Sequence, residues 1–217
     1  MIIVALSDIH GSTRRLRTIS RDLSVADVVL LVGDLTNFGR RRDAARVVGA
    51  VREYNEHILA VSGNCDYPDV DAYLTTEGIN LHRKCITVDD VVFLGVGGST
   101  PCPERTPNEF TEDQFKTFLE EASTNLEPSV PLILVSHQPP YHTVCDFAGN
   151  AGHVGSQSVW NFITQVQPMV CFTGHIHEGR GIDTIADTTV VNPGPLRAGG
   201  YGYAKVNPQV EVVEIRG

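Results

Sequence analysis

The segment that decides the fold reads Pro168-Met169-Val170-Cys171-Phe172-Thr173-Gly174-His175-Ile176-His177. Its first five residues form a short apolar run, which is typical of a buried strand. Side chains two residues apart on an extended chain point the same way, so the sequence predicts that His175 and His177 face one spot. Gly174 allows close approach of the backbone. Paired imidazoles aimed at one point are suited to holding a metal ion.

Polar side chains follow the other predicted strands in the same manner. In chain order they are Asp8 and His10 after residues 2–6, Asp34 after 27–32, Asn64 after 57–61, and His137 after 131–135. Taken alone, Asp8 is equally well explained as the cap of a turn or helix. Ligands of open α/β sheets bind at the carboxyl ends of the strands, however, and all of these residues fall there. We therefore expect the set to converge.

Alternating strand and helix patterns predict a largely parallel sheet with helices on its faces. The helices are expected over residues 12–22 or 13–22, 40–56, 69–78, 111–125 and 156–166, the fourth opened by a Thr111-x-x-Gln114 capping box. Residues 85–96 read as a hairpin turning at Asp89-Asp90. Strands at 181–185, 188–191, 201–206 and 210–215, with turns at Ala186-Asp187 and Asn207-Pro208, predict an antiparallel segment that closes a second sheet.

Length and composition suit a single domain over residues 1–217. The net charge of −9 argues against a broad nucleic-acid surface, and a nuclease would have only the Arg14 to Arg21 face as a basic track. The five cysteines show no C-x-x-C spacing, which favours a reducing compartment. Residues 1–6 are expected to form a strand rather than a signal peptide, and no apolar run reaches membrane-spanning length. We expect a cytoplasmic protein.

The strand-end residues together supply carboxylate, imidazole and amide donors. They are Asp8, His10, Asp34, Asn64, His137, His175 and His177. This mixture suits manganese, iron, cobalt, nickel or zinc better than calcium or magnesium. This set supplies more ligands than one tetrahedral ion can bind. It fits two divalent transition-metal ions if one carboxylate bridges them.

Five of these segments resemble, in order, the motifs of the calcineurin-like metallophosphoesterase superfamily. They are Asp8-Ile9-His10, Gly33-Asp34-Leu35-Thr36-Asn37-Phe38-Gly39, Gly63-Asn64-Cys65-Asp66, Ser136-His137 and Gly174-His175-Ile176-His177. The resemblance implies an α/β fold, a four-layer α-β-β-α sandwich of two mixed β-sheets flanked by helices. It also implies that Asp34 bridges two ions, manganese being favoured. The further ligands would be Asp8, His10 and His177 for one ion, and Asn64, His137 and His175 for the other.

The same resemblance implies hydrolysis of a small phosphate ester by a hydroxide shared between the ions, with Asn64 and His137 close to the reacting group. Many relatives carry histidine where this chain has Cys65, and the Asn-Cys-Asp form is similar to small phosphodiesterase-like members. A thiol is a weak donor, so we expect phosphodiesters as substrates. The alternatives are a phosphomonoesterase or nucleotidase, a protein-binding scaffold with little catalysis, and a Cys65 that merely packs.

Two further residues have open roles. The segment Gly152-His153-Val154-Gly155-Ser156 also resembles the phosphodiesterase-like group, so His153 either faces the substrate or belongs to the structure of its loop. Asp66 either orients His137 or His175 or caps the segment that follows it. The long loop over residues 141–155 is expected to be functional or mobile. A homo-oligomer is left open.

Overall fold

The computed structural model describes residues 1–127, 130–207 and 209–217. Eleven strands lie within these described ranges. They are β1 (Ile2–Leu6), β2 (Val28–Val32), β3 (Ile58–Val61), β4 (Lys84–Val88), β5 (Val91–Val96), β6 (Leu132–Ser136), β7 (Val170–Phe172), β8 (Gly181–Ile185), β9 (Thr188–Asn192), β10 (Tyr201–Asn207) and β11 (Gln209–Arg216). Two mixed sheets result, with the strand orders β11-β10-β1-β2-β3 and β4-β5-β6-β7-β9-β8.

In the described part of the chain, five α-helices cover the outer faces of the sheets. They are α1 (Ser20–Val25), α2 (Arg41–Arg52), α3 (Pro68–Thr76), α4 (Glu112–Ser123) and α5 (Gln157–Val166). The predicted capping box is confirmed, because Thr111 Oγ1 accepts from the Gln114 backbone N–H while the Gln114 side chain accepts from the Thr111 N–H. Among the described residues, no helix is long and apolar enough to cross a membrane.

The predicted position of the first helix is wrong. A 3₁₀ turn at Leu16–Ile19 precedes α1, so helical structure begins later than residues 12 or 13. The reason lies just upstream, where the backbone N–H groups of His10 and Gly11 donate to Asp34 O and Leu35 O at 2.9 and 2.8 Å. These bonds join the two loops, and the chain must leave them before a helix can start.

The predicted antiparallel tail is divided between the two sheets, which corrects the expectation that it closes the second sheet alone. Strands β8 and β9 do join the second sheet, with β9 parallel to β7. Strand β10 instead pairs antiparallel with β1 and carries β11 with it. Its buried residues Ala204 and Val206 pack between the sheets, so this position buries one face of β10 and covers the open edge of β1. Pro208, half of the predicted Asn207-Pro208 turn, lies outside the described residues.

Three apolar clusters hold the layers together and confirm the predicted sandwich. The middle cluster, with Ile3, Leu30, Phe93 and Phe172, lies between the two sheets. A second cluster packs α1 to α3 on the first sheet, and a third packs α4 and α5 on the second. The middle strands β1, β2, β6 and β7 are almost wholly buried, as strands covered on both faces must be.

The carboxyl ends of six of these strands meet at one end of the sandwich. Strands β1 to β3 run parallel in the first sheet, and β5 to β7 run parallel in the second. The loops after β2 and β6 touch directly, since His137 Nδ1 lies 2.8 Å from Val32 O. The polar residues that follow the strands are thereby gathered at a single edge.

Candidate metal centre

The backbone turns sharply where the strands end. Asp8, His10, Asp34 and His175 all have left-handed backbone angles, with φ of 52°, 47°, 48° and 66°. Residues other than glycine adopt this region rarely, although Asp and His do so more readily than most. Hydrogen bonds between loops hold the turns, such as Asp8 N to Gly33 O at 3.2 Å. Strain of this kind concentrates at functional sites, and here it turns four polar side chains toward a common centre.

One group of ligand atoms comes from Asp8, His10 and His177, whose atoms all lie within 4.8 Å of one another. His177 Nε2 is 3.4 Å from Asp8 Oδ1 and 3.4 Å from His10 Nε2. The other ring nitrogen of His10, Nδ1, is buried and has no hydrogen-bond partner among the described residues.

A second group is formed by Asp34, Asn64 and His137. Val32 O can only accept, so it fixes a hydrogen on His137 Nδ1; whenever the ring carries one hydrogen, the lone pair is therefore on Nε2. That lone pair faces Asn64 Oδ1 at 3.0 Å and Asp34 Oδ1 at 3.5 Å. Asn64 cannot reverse its amide without losing the hydrogen bond from Nδ2 to Thr106 Oγ1 at 3.1 Å. Three atoms that can accept thus converge in an arrangement that could hold a cation.

Asp34 stands between the two groups. Its Oδ1 faces His137, and its Oδ2 lies 3.7 Å from His10 Nε2. Burial raises the pKa of Asp34 to about 7, and the negative charges of Asp66 and Asp8 add to this, although His137 opposes it. Gly63 leaves the space that the carboxylate fills, since a Cβ there would collide with Asp34 Oδ1. A buried carboxyl that is reluctant to ionise alone is well suited to charge neutralisation by cations.

Asp8 is also buried but has the opposite tendency. Burial by itself raises its pKa, yet the hydrogen bond from His177 and the nearby charges of His137 and His177 lower it to about 2. Ser7 Oγ also donates to Asp8 Oδ2 at 2.6 Å. Asp8 is therefore an anion at neutral pH.

His175 lies beside these residues without joining the tight clusters. Its backbone N–H donates to both carboxylate oxygens of Asp8 at 3.2 Å, and its ring centroid is 5.3 Å from that of His137. Burial, reinforced by the charge of His137, lowers the pKa of His175 to about 3. The ring is neutral at physiological pH, so it has a lone pair to offer. Its Nε2 lies 3.6 Å from Cys102 Sγ.

Cys65 is placed at the centre rather than in the apolar core. Its Sγ belongs to a third cluster with His10 and Asp34, all within 4.8 Å. Its backbone N–H donates to Asp34 Oδ1 at 2.8 Å. Burial and the negative charge of Asp34 raise the pKa of the thiol, so the sulfur is protonated at neutral pH.

Asp66 does not orient His137 or His175, which corrects the first of its two predicted roles. All hydrogen bonds that it makes with described residues bind loops: Leu35 N at 3.1 Å, Thr36 N at 2.8 Å, Thr36 Oγ1 at 2.7 Å and Gly63 N at 2.8 Å. The carboxylate is wholly buried, and these donors replace the water that it loses. Asp66 thereby joins the Asp34 loop to the Asn64 loop and acts on the site through the backbone.

His153 lies in the loop over residues 141–155, outside the ligand clusters found among the described residues. Its Nδ1 is 2.7 Å from Asp146 Oδ1, and about a third of its side chain is exposed, 31%. The contact with Asp146 therefore uses Nδ1 to hold the loop, and the exposed part of the ring faces solvent.

Three residues near the site are absent from the sequence-based set. Cys102 contacts His175, Thr106 fixes the Asn64 amide, and Arg197 contributes a positive charge that adds to the burial lowering the pKa of His10. All three lie in loops or a single 3₁₀ turn without a periodic pattern. Pro195, which pairs with Ser7, brings Arg197 to this edge, and that pairing is not readable from local sequence.

The sequence profile of the calcineurin-like phosphoesterases matches residues 1–179, which include every ligand atom described above. The chain belongs to the calcineurin-like phosphoesterase family. Members of this family hydrolyse phosphate esters with the help of metal ions, generally two, so the protein is a metal-dependent hydrolase of phosphate esters. The clustered acceptors around Asp34 fit that requirement.

Other comparisons agree with this membership. The uncharacterized protein MJ1162 of Methanocaldococcus jannaschii is 37% identical over 199 residues, covering 90% of this chain and 88% of its own length. The crystal structure of TT1561 of Thermus thermophilus has a TM-score of 0.72 at 19% identity, over 100% of this phosphoesterase and 98% of that chain. Phosphopantetheinyl hydrolase from Mycobacterium tuberculosis has a TM-score of 0.60 at 15% identity, over 90% of each chain. At these identities the two structures show the fold alone.

Proposed function

We propose that the protein is a phosphodiesterase with a two-ion centre bridged by Asp34. The observation that carries this proposal is the convergence of acceptors on both sides of one carboxylate, His10 on one side and His137 on the other. Without cations, such a set places lone pairs and negative charge against each other in a buried site. Because ligands come from loops of both sheets, we treat residues 1–217 as one functional unit.

One ion would be held by Asp8, His10, Asp34 and His177, and the other by Asp34, Asn64, His137 and His175. The first set is supported by the mutual distances of Asp8, His10 and His177. The second is supported by the contacts of His137 with Asn64 and Asp34. The mixture of carboxylate, amide and imidazole donors favours manganese, with iron, nickel, cobalt and zinc as substitutes.

Bound ions of this kind supply Lewis acidity, which lowers the pKa of water and offsets charge on a phosphoryl group. The protein's own residues prepare the site for this chemistry. Val32 O orients the His137 ring, and Thr106 orients the Asn64 amide. The positive charge of Arg197 beside His10 attracts an anionic substrate to a protein whose net charge is −9.

The preference for diesters rests on Cys65. Its protonated thiol lies against His10 and Asp34, where many relatives carry an imidazole. A thiol with a raised pKa is a poor proton donor to a leaving group. Substrates whose leaving group departs without such help are therefore favoured, and activated diesters carry less charge to neutralise than monoesters do.

The test combines elemental analysis of purified protein with hydrolysis of bis(p-nitrophenyl) phosphate and p-nitrophenyl phosphate in manganese, nickel, iron or zinc. We expect about two ions per chain and faster turnover of the diester. Faster turnover of the monoester would instead make the protein a monoesterase or nucleotidase. Bound metal without turnover of either ester would favour a scaffold. Metal content no higher than that of the Asp34→Asn variant would overturn the two-ion centre.

A further inference from the structure

Four rings form an aromatic wall, which we define as Tyr141, His142, Phe147 and His153. The centroids of His142 and His153 lie 4.8 Å apart, and His153 is 5.4 Å from Phe147 and 6.0 Å from Tyr141. Tyr141 and Phe147 are 40% and 47% exposed. Large aromatic side chains are costly to leave in water, so a contiguous exposed set of them marks a surface that binds something.

The wall is built rigidly around Asp146. This buried carboxylate accepts from the backbone N–H groups of His142, Thr143 and Gly155 at 3.1, 2.9 and 2.9 Å, and it holds His153 Nδ1 at 2.7 Å. His142 is kept at a left-handed φ of 63°. A loop that is merely a connection has no need of a buried carboxylate with this many donors, or of a strained histidine.

The loop that carries the wall is joined to the segment that carries two of the proposed ligands. The side chain of Asn192 donates to Cys145 O at 3.2 Å, within the loop, and to Gly174 O and Ile176 O at 3.4 and 2.8 Å, on either side of His175. Gly179 packs directly on Cys145, where a Cβ would collide with the carbonyl oxygen. The loop that carries the wall is therefore fixed to the segment that carries His175 and His177.

The side chain of Gln138 joins the wall loop to the loop on the opposite side of the site. Gln138, which follows His137, is buried; its Nε2 donates to Val154 O at 2.9 Å and its Oε1 accepts from Thr100 N at 3.0 Å. Val154 is next to His153 in the wall loop, and Thr100 begins the loop that contains Cys102 and Thr106. Both rims of the site are thus connected through one amide.

We propose that the aromatic wall binds a nucleobase of the substrate by stacking, while the phosphate lies at the metal centre. This inference rests on the proposed function, because it assigns the substrate class of the same site. Rings that are partly exposed and held in place by the loop around Asp146 offer π-faces on which a base can stack. The substrate class is then a nucleoside phosphodiester rather than an alkyl or simple aryl one.

The test compares two esters with the same leaving group in the manganese-loaded protein, thymidine 5′-(p-nitrophenyl phosphate) and methyl p-nitrophenyl phosphate. We expect a lower KM for the thymidine ester. Tyr141→Ala and Phe147→Ala should each raise that KM by about 10-fold, the loss typical of one stacking contact, and leave the methyl ester unchanged. The control is Val25→Ala, which removes an equally exposed apolar side chain, 52%, on α1.

A binding measurement separates this inference from the proposed function. Saturation-transfer NMR with thymidine on metal-free protein should show contact in the wild type and lose it in Tyr141→Ala and Phe147→Ala. Equal KM values for both esters, with no effect of the two variants, would overturn the wall and leave the phosphodiesterase intact. Failure to hydrolyse either ester would overturn the proposed function, and the NMR result alone would then decide the wall.

Discussion

The Nε2 atoms of His10 and His177 lie 3.4 Å apart, although 167 residues separate the two histidines in the chain. A hydrogen bond between two neutral imidazoles would use one Nε2 lone pair and one Nε2 hydrogen. A cation held between the rings would use both Nε2 lone pairs, and Asp8 lies close enough to join them. The pair is therefore suited to form half of the proposed metal cage.

Replacing His177 by glutamine tests that half of the cage. We expect metal content to fall from about two ions per chain to about one, because losing a ligand weakens binding by more than the 10–100-fold that a supporting hydrogen bond contributes. Mass spectrometry of metals after dialysis measures this directly. The control is His57→Gln, which changes an exposed histidine directly before β3 that belongs to none of the ligand clusters found among the described residues. A His177→Gln protein that keeps both ions would remove His177 from the cage.

Asp34→Asn removes the bridge itself. The amide oxygen can still accept from the Cys65 N–H, so the loop should keep its shape, but a neutral group cannot neutralise two cations. We expect almost no retained metal and hydrolysis at the background rate. Circular dichroism of the metal-free variant checks that the fold persists. Substantial activity in a folded Asp34→Asn protein would contradict the bridging role.

Cys65→His tests the substrate preference. An imidazole next to Asp34 supplies the proton donor that the thiol with its raised pKa does not. We expect the monoester-to-diester ratio of kcat/KM to rise by at least about 10-fold, since positioned acid–base groups contribute 10²–10⁴-fold. Cys65→Ser, which adds no comparable acid, is the matched control. An unchanged ratio in Cys65→His would mean that this position does not set the preference.

Asp66→Asn should lower stability rather than abolish chemistry. The NH₂ group of the new asparagine side chain would face N–H donors in either orientation, those of Leu35 and Gly63 in one and that of Thr36 in the other. Two donors that face each other cannot form a hydrogen bond. We expect a loss of about 3 kcal/mol in the free energy of unfolding, seen as a fall of about 6–12 °C in Tm. Asp113→Asn, at an exposed position of α4, should change little.

The metal content of Asp66→Asn, measured well below its Tm, tests whether this residue acts only by joining loops. Near-normal content is expected, because its hydrogen bonds with described residues go to Leu35, Thr36 and Gly63. Loss of metal in a protein that is still folded would mean that Asp66 acts on the ligands themselves.

A different carboxylate gives a pH dependence away from the site. Burial raises the pKa of Asp22, but hydrogen bonds from Tyr201 Oη at 2.7 Å and Arg216 Nη1 at 2.8 Å outweigh it and hold that pKa below its usual value. A lowered pKa stabilises the fold above the unfolded pKa of about 3.9, and the benefit disappears as pH falls through the folded value. Asp22→Asn should lower Tm at pH 7 by about 2–4 °C.

The Tm difference between wild type and Asp22→Asn should shrink as pH falls below the unfolded pKa of about 3.9 and through the lowered pKa of the folded carboxyl. Thermal melts from about pH 2 to 8 measure this. A difference that stays constant over the whole range would show that the ion pair with Arg216 does not contribute through charge.

Much of the fold was predictable because strands and helices are encoded locally. The apolar runs before Asp8, Asp34 and His137 gave the buried strands, and the known behaviour of parallel sheets gave the edge where their ends meet. The partner of β10 was not predictable in the same way. Its alternation marks one face for burial, but the choice of β1 as neighbour depends on contacts about 200 residues apart.

The residues of the candidate site can be divided in the same way into those that were predictable from the sequence and those that were not. Residues directly after strands were found, because strand ends fix their place in space. Asp66 was found but given an uncertain role, since its partners Leu35 and Thr36 lie 30 residues or more away. Cys102 and Arg197 gave no signal, because their closeness to His175 and His10 arises from the paths of loops rather than from any periodic pattern.

Because of the Asp66 carboxylate, loss of activity and loss of the fold should be separable in this protein. Chelating agents should abolish activity without unfolding the protein, because hydrogen bonds to Asp66 still join the Asp34 and Asn64 loops. The ligands can accordingly be exchanged one by one in directed evolution, toward a different element or a different reaction, while the scaffold beneath them is inherited unchanged.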